Sequence, residues 1–340
     1  MARRSGSLRA YVLTRIALTI PMIVILLSFV FVILRVAPGD PIEAAYGQKL
    51  SAAQIADVRH HLGLDRPLIV QYGSYLGALV HGDFGKSVLT QQSVGSIISA
   101  RFPATLELTL AAMIIAIIVG VGVGALAGRY RDTPIDLGGR LFGIVIYAAP
   151  IFWLGMMFQL LFSVKLHIFP SGGRIAAFAE PHHITGLYVL DSVLTGNWSS
   201  LWTSLRYLAL PSITLGLVIG GVLVRLVRVN MLQTLQADYV EAARARGIPE
   251  WRVVMRHAFR NALIPVITVT GLQFAALLGG AVLTETTFTW PGLGSQLVDY
   301  LGSRDYPGVQ GIVTFFAILV VGVSLLIDIV NAYVDPRIRY

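Results

Sequence analysis

The sequence predicts an all-α integral membrane protein with six transmembrane helices and both termini in the cytoplasm. Three observations predict it. Apolar residues fill 55% of the 340 positions and charged residues only 13%, with a mean hydropathy of +0.72; a soluble domain carries about 25% charged residues. Six stretches lack Asp, Glu, Lys and Arg over close to the span of bilayer hydrocarbon, which takes roughly 20 residues. The arginines and lysines are also unevenly shared between the connecting segments. This composition excludes an ordinary cytosolic enzyme and a disordered chain. The absence of cysteine excludes a disulfide framework, a zinc finger and an iron–sulfur cluster. The net charge of +8 is read as cytoplasmic loops rather than as a nucleic-acid surface.

The predicted spans are Ile16–Leu34, Leu108–Gly128, Leu141–Val164, Tyr207–Val224, Asn261–Thr284 and Tyr306–Ile327. The first is too long for the apolar part of a cleaved signal peptide, and Val36-Ala37-Pro38-Gly39-Asp40-Pro41 is no small-residue cleavage site. Placing the N-terminus inside puts Arg3, Arg4, Arg9, Arg15, Arg129, Arg131, Arg140, Arg337, Arg339 and the arginine-rich 225–260 segment on the cytoplasmic side. The outer segments then hold fewer basic residues over about twice the length.

Two outer segments are too long for plain turns. Val36–Pro103 predicts a small helical cap. Ser51-Ala52-Ala53-Gln54 is a capping box opening a helix through His61. Pro67 suits the first turn of another, with Leu68, Tyr72, Tyr75, Leu76 and Leu79 on one face and Gly82 as its stop. The Lys165–Arg206 segment shows little periodicity; its Trp198 and Trp202 suit an interface. The chain divides into residues 1–105, a first span (about 13–36) with the cap, and 106–340, a five-span core. Gly120, Gly124 and Gly128, and likewise Gly216 and Gly220, recur every four residues, a pattern that serves either packing within the chain or a subunit interface.

The most informative connection lies between the fourth and fifth spans, about 230–262. It contains Asp238-Tyr239-Val240-Glu241-Ala242-Ala243-Arg244-Ala245-Arg246-Gly247-Ile248-Pro249. This predicts a helix capped by Asp238, with Glu241 paired to Arg244 at i+3. Gly247 supplies the left-handed stop, and Pro249 opens a second helix carrying Arg252, Arg256 and Arg260. Pro265 is then expected to bend the fifth span. Ala242 and Ala243 leave a flat patch of the kind that docks in a groove on another protein.

Glu241-Ala242-Ala243, the following Gly247 and Ile264-Pro265 resemble the EAA motif of ATP-binding-cassette importer permeases. Further segments resemble the B-type permease of dipeptide and oligopeptide importers: Pro38-Gly39-Asp40-Pro41, Leu62-Gly63-Leu64-Asp65-Arg66-Pro67, Gly82-Asp83-Phe84-Gly85-Lys86-Ser87, Pro103-Ala104-Thr105-Leu106-Glu107-Leu108, Glu285 to Gly294, and Asp335-Pro336-Arg337. The resemblance implies the type I importer permease fold in a prokaryotic cytoplasmic membrane. It implies a second homologous permease, two ATPase subunits holding ATP and magnesium, and an external substrate-binding protein. It assigns ATPase coupling to Asp238, Tyr239, Glu241, Ala242, Ala243, Arg244, Gly247 and Pro265. Peptides are the expected cargo; relatives of similar build import oligosaccharides, glutathione or nickel.

No catalytic or metal site is expected in the chain. Gly85-Lys86-Ser87 lacks the glycine a phosphate loop needs at position 80, which is Val80. The pairs His60-His61 and His182-His183 make poor metal clamps, and neither His-Glu-x-x-His nor Gly-x-Ser-x-Gly occurs. Glu107 and Glu285 at span ends, and Gln159 and Gln273 inside spans, fit either a substrate path or local structural bonds. A stand-alone secondary transporter would need charged groups at the span centres, which are uncharged.

Overall fold

The computed structural model describes residues 8–36, 51–61 and 63–334. Arg3, Arg4, Pro38-Gly39-Asp40-Pro41, Lys49, Leu62 and Asp335-Pro336-Arg337 with Arg339 lie outside the described residues. Among those described the chain is helical, apart from loops and an isolated bridge between Lys86 and Ser93.

The helices are α1 (Leu8–Val36), α2 (Ala52–His61), α3 (Leu68–Val80), α4 (Val94–Arg129), α5 (Pro134–Ala148), α6 (Ile151–Lys165), α7 (Tyr188–Leu194), α8 (Trp198–Leu235), α9 (Asp238–Ala245), α10 (Glu250–Ala262), α11 (Ile264–Gly280), α12 (Val282–Thr287), α13 (Leu293–Gly302) and α14 (Tyr306–Val334). α1, α4, α8 and α14 are each long and apolar enough to span a membrane. Two further apolar helix pairs are bent, each a broken span or a re-entrant loop: α5 meets α6 at 103° and α10 meets α11 at 46°.

The sharp break at Ala149-Pro150 corrects the reading of Leu141–Val164 as one continuous helix. Pro150 has no N–H to donate and forces the preceding residue into extended backbone, as Ala149 shows with φ −74° and ψ 130°. Freedom from charge reports apolarity, not straightness. The bend before Pro265 is where the sequence puts it, with the proline in the first turn of α11. α4 and α8 extend well beyond their apolar runs into the flanking segments; residue 105 lies inside α4.

α4 and α8 form the most extensive helix pair. Glycine makes the approach possible. A Cβ on Gly124 would sit 2.8 Å from the Val224 carbonyl oxygen, one on Gly128 2.5 Å from Met231 Cβ, and one on Gly216 2.7 Å from the Ala112 carbonyl oxygen. The spaced glycines therefore serve packing within the chain. Around this seam lies the main core, including Leu108, Ala112, Ala116, Leu223, Val227 and Met231.

α1 lies along α14, joined at one end by Arg15 to Asp328 (3.2 Å). At the other end sits the cap. The Ser51 capping box forms, with the Ser51 N–H donating to Gln54 Oε1 (2.9 Å) and the Gln54 N–H to Ser51 Oγ (3.4 Å). α3 lays Tyr72 and Tyr75 against Phe31, and their hydroxyls bond Ser28 and Thr314. Leu68, grouped with this face from the sequence, is exposed. The cap loop is held by Asp305, whose buried carboxylate accepts from Ser87 Oγ (2.5 Å) and the N–H groups of Val88, Leu89 and Gly308. Lys165–Arg206 is more ordered than its sequence suggests: it contains α7 and the first turns of α8, with Trp198 and Trp202 exposed.

Candidate functional site

The connection from α8 to α11 folds as a compact, projecting hairpin. Two residues, Gln236 and Ala237, separate α8 from α9. α9 starts after Ala237; Asp238 occupies its first turn and makes no side-chain cap, so the predicted Asp238 cap is not formed. Its negative charge still complements the positive helix end. Val240 and Ala243 point inward against Val253 and Ala258 of α10, forming a small core of their own. Asp238, Tyr239, Glu241 and Ala242 face solvent. Half of α9 thus fixes its position, and half stays uncovered.

The helix ends as its glycine requires. Gly247 has φ +74°. Its N–H donates to the Arg244 carbonyl (2.9 Å) and that of Ile248 to the Ala243 carbonyl (3.4 Å), the paired bonds of a Schellman stop. The turn swings Glu250 back over α9, and this corrects a predicted pair. Arg244 donates through Nη2 and Nε to Glu250 (2.9 and 3.2 Å), not to Glu241, and through Nη1 to the Leu235 carbonyl at the end of α8 (3.3 Å). The Glu250 carboxylate holds the Arg244 guanidinium above its ordinary value. Arg244 therefore ties α8, α9 and α10 into one body, while the Glu241 carboxylate makes no hydrogen bond or ion pair among the described residues and stays on the exposed face.

Glu107 and Glu285 lie near the cap end, buried and fully occupied. Glu107 accepts from Arg174 Nη2 (2.7 Å) and Nε (3.1 Å) and from the Val189 N–H (2.7 Å). The Arg174 guanidinium also donates to the Gly186 carbonyl and lies 3.7 Å above the Tyr188 ring. Sequence reasoning missed Arg174: nothing local marks it, and its partner is far away in the chain. The loop it anchors is held again by Asp191. Burial alone would raise that carboxyl, but the Thr185 hydroxyl and the N–H groups of Thr185, Ile184 and Gly186 hold it below its ordinary value.

Glu285 accepts from the Thr105 hydroxyl (2.7 Å) and the Ser295 N–H (2.9 Å). The segment after it folds tightly around this carboxylate. Trp290 is buried, its indole N–H donating to the Ala104 carbonyl (2.9 Å). A Cβ on Gly292 would collide with the Glu285 carboxyl group. Gln159 Nε2 donates to the carbonyls of Ser171 (2.6 Å) and Thr287 (3.0 Å). Gln273 is half-buried on α11. The structure thus gathers the residues expected to couple to an ATPase at one end and the path candidates Glu107 and Glu285 at the other, where protein donors engage both carboxylates. Among the described residues, no group of three or more His, Asp or Glu could hold a metal.

Comparison with known proteins agrees with this geometry. Residues 120–340 match the family described as binding-protein-dependent transport system inner membrane component, and residues 8–109 match that system's N-terminal membrane component. The chain is 41% identical over 332 residues to a di/tripeptide transport system permease protein of Pseudomonas aeruginosa, covering 97% of this chain and 99% of the relative. It is 38% identical to a dipeptide transport system permease protein of Alkalihalophilus pseudofirmus, with 97% and 99% covered. It is 39% identical to the dipeptide transport system permease protein of Escherichia coli K12, with 97% and 98% covered. With four spanning helices, two bent pairs that can bring the spans to six, a projecting α9 and likeness along nearly its whole length, the chain belongs to the inner-membrane components of binding-protein-dependent transport systems, as a multi-pass ABC permease.

Proposed function

We propose that the chain is the permease subunit of an ATP-driven importer of dipeptides and short oligopeptides. Its relatives are permeases of dipeptide and di/tripeptide transport systems, which supports the cargo. One observation carries the mechanism: α9 is rigidly joined to two spans yet leaves Asp238, Tyr239, Glu241 and Ala242 uncovered. That is the form of a part built to seat in another protein. The partner is one of two ATPase subunits, which bind ATP and magnesium. A second homologous permease completes the membrane part, and an external binding protein delivers the peptide. The chain itself breaks no bond. The arginine distribution orients it with both termini and α9 in the cytoplasm.

Closure of the ATPases on ATP moves the groove that holds α9. Because Arg244 and the Val240–Ala243 core bind α9 to α8 and α10, displacement passes to α8 and α11 as a rigid body. The bend before Pro265 is the hinge that takes it up. Opening one side while closing the other gives alternating access. Half-buried Gln273, beyond this hinge, is the path candidate best placed to change its surroundings.

The test is purification of the tagged chain in mild detergent, with mass spectrometry of its companions. A second permease and two ATPase chains are expected. A homogeneous chain that moves solute without any ATPase would overturn the proposal.

A further inference from the structure

This inference rests on the peptide-import reading and deepens it. α5 and α8 cross with their backbones almost touching: a Cβ on Gly143 would lie 3.3 Å from the Gly221 carbonyl oxygen, and one on Gly221 3.1 Å from that of Gly143. Beside this crossing runs a groove of about 780 Å³, within the range of small-ligand sites. Its walls are mostly apolar, including Ile144, Tyr147, Val222 and Val229, but three arginines reach it: Arg140, Arg225 and Arg228.

Their charge is not balanced. Two carboxylates act here: Asp136, which is fully buried, and Asp132, which also bears on Arg228 but pairs with Arg131 at 3.1 Å. Asp136 is taken bidentately by Arg228, at 2.5 and 2.8 Å, and approached by Arg140 at 3.7 Å. Arg225 is exposed and makes no hydrogen bond or ion pair among the described residues. It stands on α8 ten residues before Leu235, about 15 Å from the α9 end at 1.5 Å per residue. An unpaired guanidinium beside an apolar groove at the inner end of the fourth span is free to bind an anion. Its planar fork fits a carboxylate through two parallel bonds.

We propose that Arg225, supported by Arg140, is a transit station for the C-terminal carboxylate of the imported peptide on the cytoplasmic half of its path. Every unmodified peptide carries this group whatever its side chains, so one station serves cargo of varied sequence. Arg228 is held by Asp136 and sets the groove's shape. Tyr147 and Val222 offer apolar surface to the rest of the peptide. The groove's surplus positive charge matches the one negative charge common to all such cargo.

The experiment uses the complete transporter in proteoliposomes, with the external binding protein saturated by either a dipeptide or its C-terminally amidated analogue. The readout is the ratio of the two uptake rates, which does not depend on how much complex assembles. The wild-type ratio is expected to favour the free carboxylate by about tenfold, within reach of a single charged hydrogen bond. Arg225→Gln brings the ratio near one, and Arg225→Lys, which keeps the charge but not the fork, leaves it between the two. A ratio unchanged in Arg225→Gln overturns the station while leaving peptide import intact. So does a ratio that vanishes in the wild type when anionic lipid is replaced by neutral lipid, since the guanidinium then serves a lipid phosphate. Absence of uptake of any peptide by the wild type overturns the import reading itself, and the station with it.

Discussion

Replacing Gly124 with alanine tests the central packing of the molecule, with Gly122→Ala as its internal control. Both glycines lie in α4, two residues apart. A Cβ at position 122 meets nothing within 4 Å, whereas one at position 124 lies 2.8 Å from both the Val224 carbonyl oxygen and Val227 Cβ. Ordinary contact needs several tenths of an ångström more, and one obstacle is backbone. α4 and α8 must therefore separate along a seam whose other residues are already close. Alanine gains about 0.5–1 kcal/mol over glycine in a helix interior, and this gain is common to both variants. Their difference isolates the overpacking cost, about 1–3 kcal/mol. The assay is unfolding of the purified chain in mixed micelles titrated with SDS, followed by tryptophan fluorescence. Gly122→Ala is expected at or above wild-type stability and Gly124→Ala below it. Equal stability of the two would refute the packing described. If Gly124→Ala instead lost the second permease on purification while unfolding normally, the glycine stripe would be a subunit interface.

Other predictions follow from the two ends of the molecule. Arg174→Met leaves the Glu107 carboxylate buried without its cation and is expected to cost about 3–5 kcal/mol; Arg174→Met with Glu107→Gln recovers much of that loss in the same titration, and failure to recover would mean that the pair is not the anchor. Gly247→Val forces a β-branched residue to φ +74°, and Glu241→Lys reverses a charge on the free face of α9. Both are expected to abolish ATP-dependent uptake while the chain still inserts in the membrane, and normal transport by either would contradict the coupling role. Asp191 has its folded-state value depressed below the ordinary 3.8, so its stabilising contribution is complete above that value and lost as pH falls through the depressed one. Limited proteolysis of the 182–197 loop is expected to stay slow from neutral pH down to about 4 and to accelerate below it; in Asp191→Asn cleavage is faster at neutral pH and the acid step disappears.

The local devices were legible in the sequence because their partners are near in the chain. The Ser51–Gln54 capping box, the left-handed Gly247 and the bend at Pro265 each depend on a few adjacent residues, and each stands where the residues place it. What escaped depended on geometry that sequence spacing does not carry. The i+3 rule chose Glu241 for Arg244, but the turn at Gly247 brought Glu250 closer and offered a bidentate pair. Pro150 was visible within an uncharged run that looked continuous, and its break divides the third span. Glu107 and Arg174 are separated by two whole predicted spans, so neither residue alone announced a buried pair. The α4–α8 glycines were recognisable as a packing signal, but only the structure showed which helices they join.

The central claim is that this permease converts ATP turnover in its partners into peptide movement through α9. The most direct test is uptake of a labelled dipeptide by proteoliposomes holding this chain, the second permease and the two ATPases. Loaded binding protein is supplied outside, with ATP or ADP enclosed. The account predicts accumulation only with enclosed ATP and external binding protein, and none with Gly247→Val. Accumulation by this chain alone, without ATPases or ATP, would contradict it.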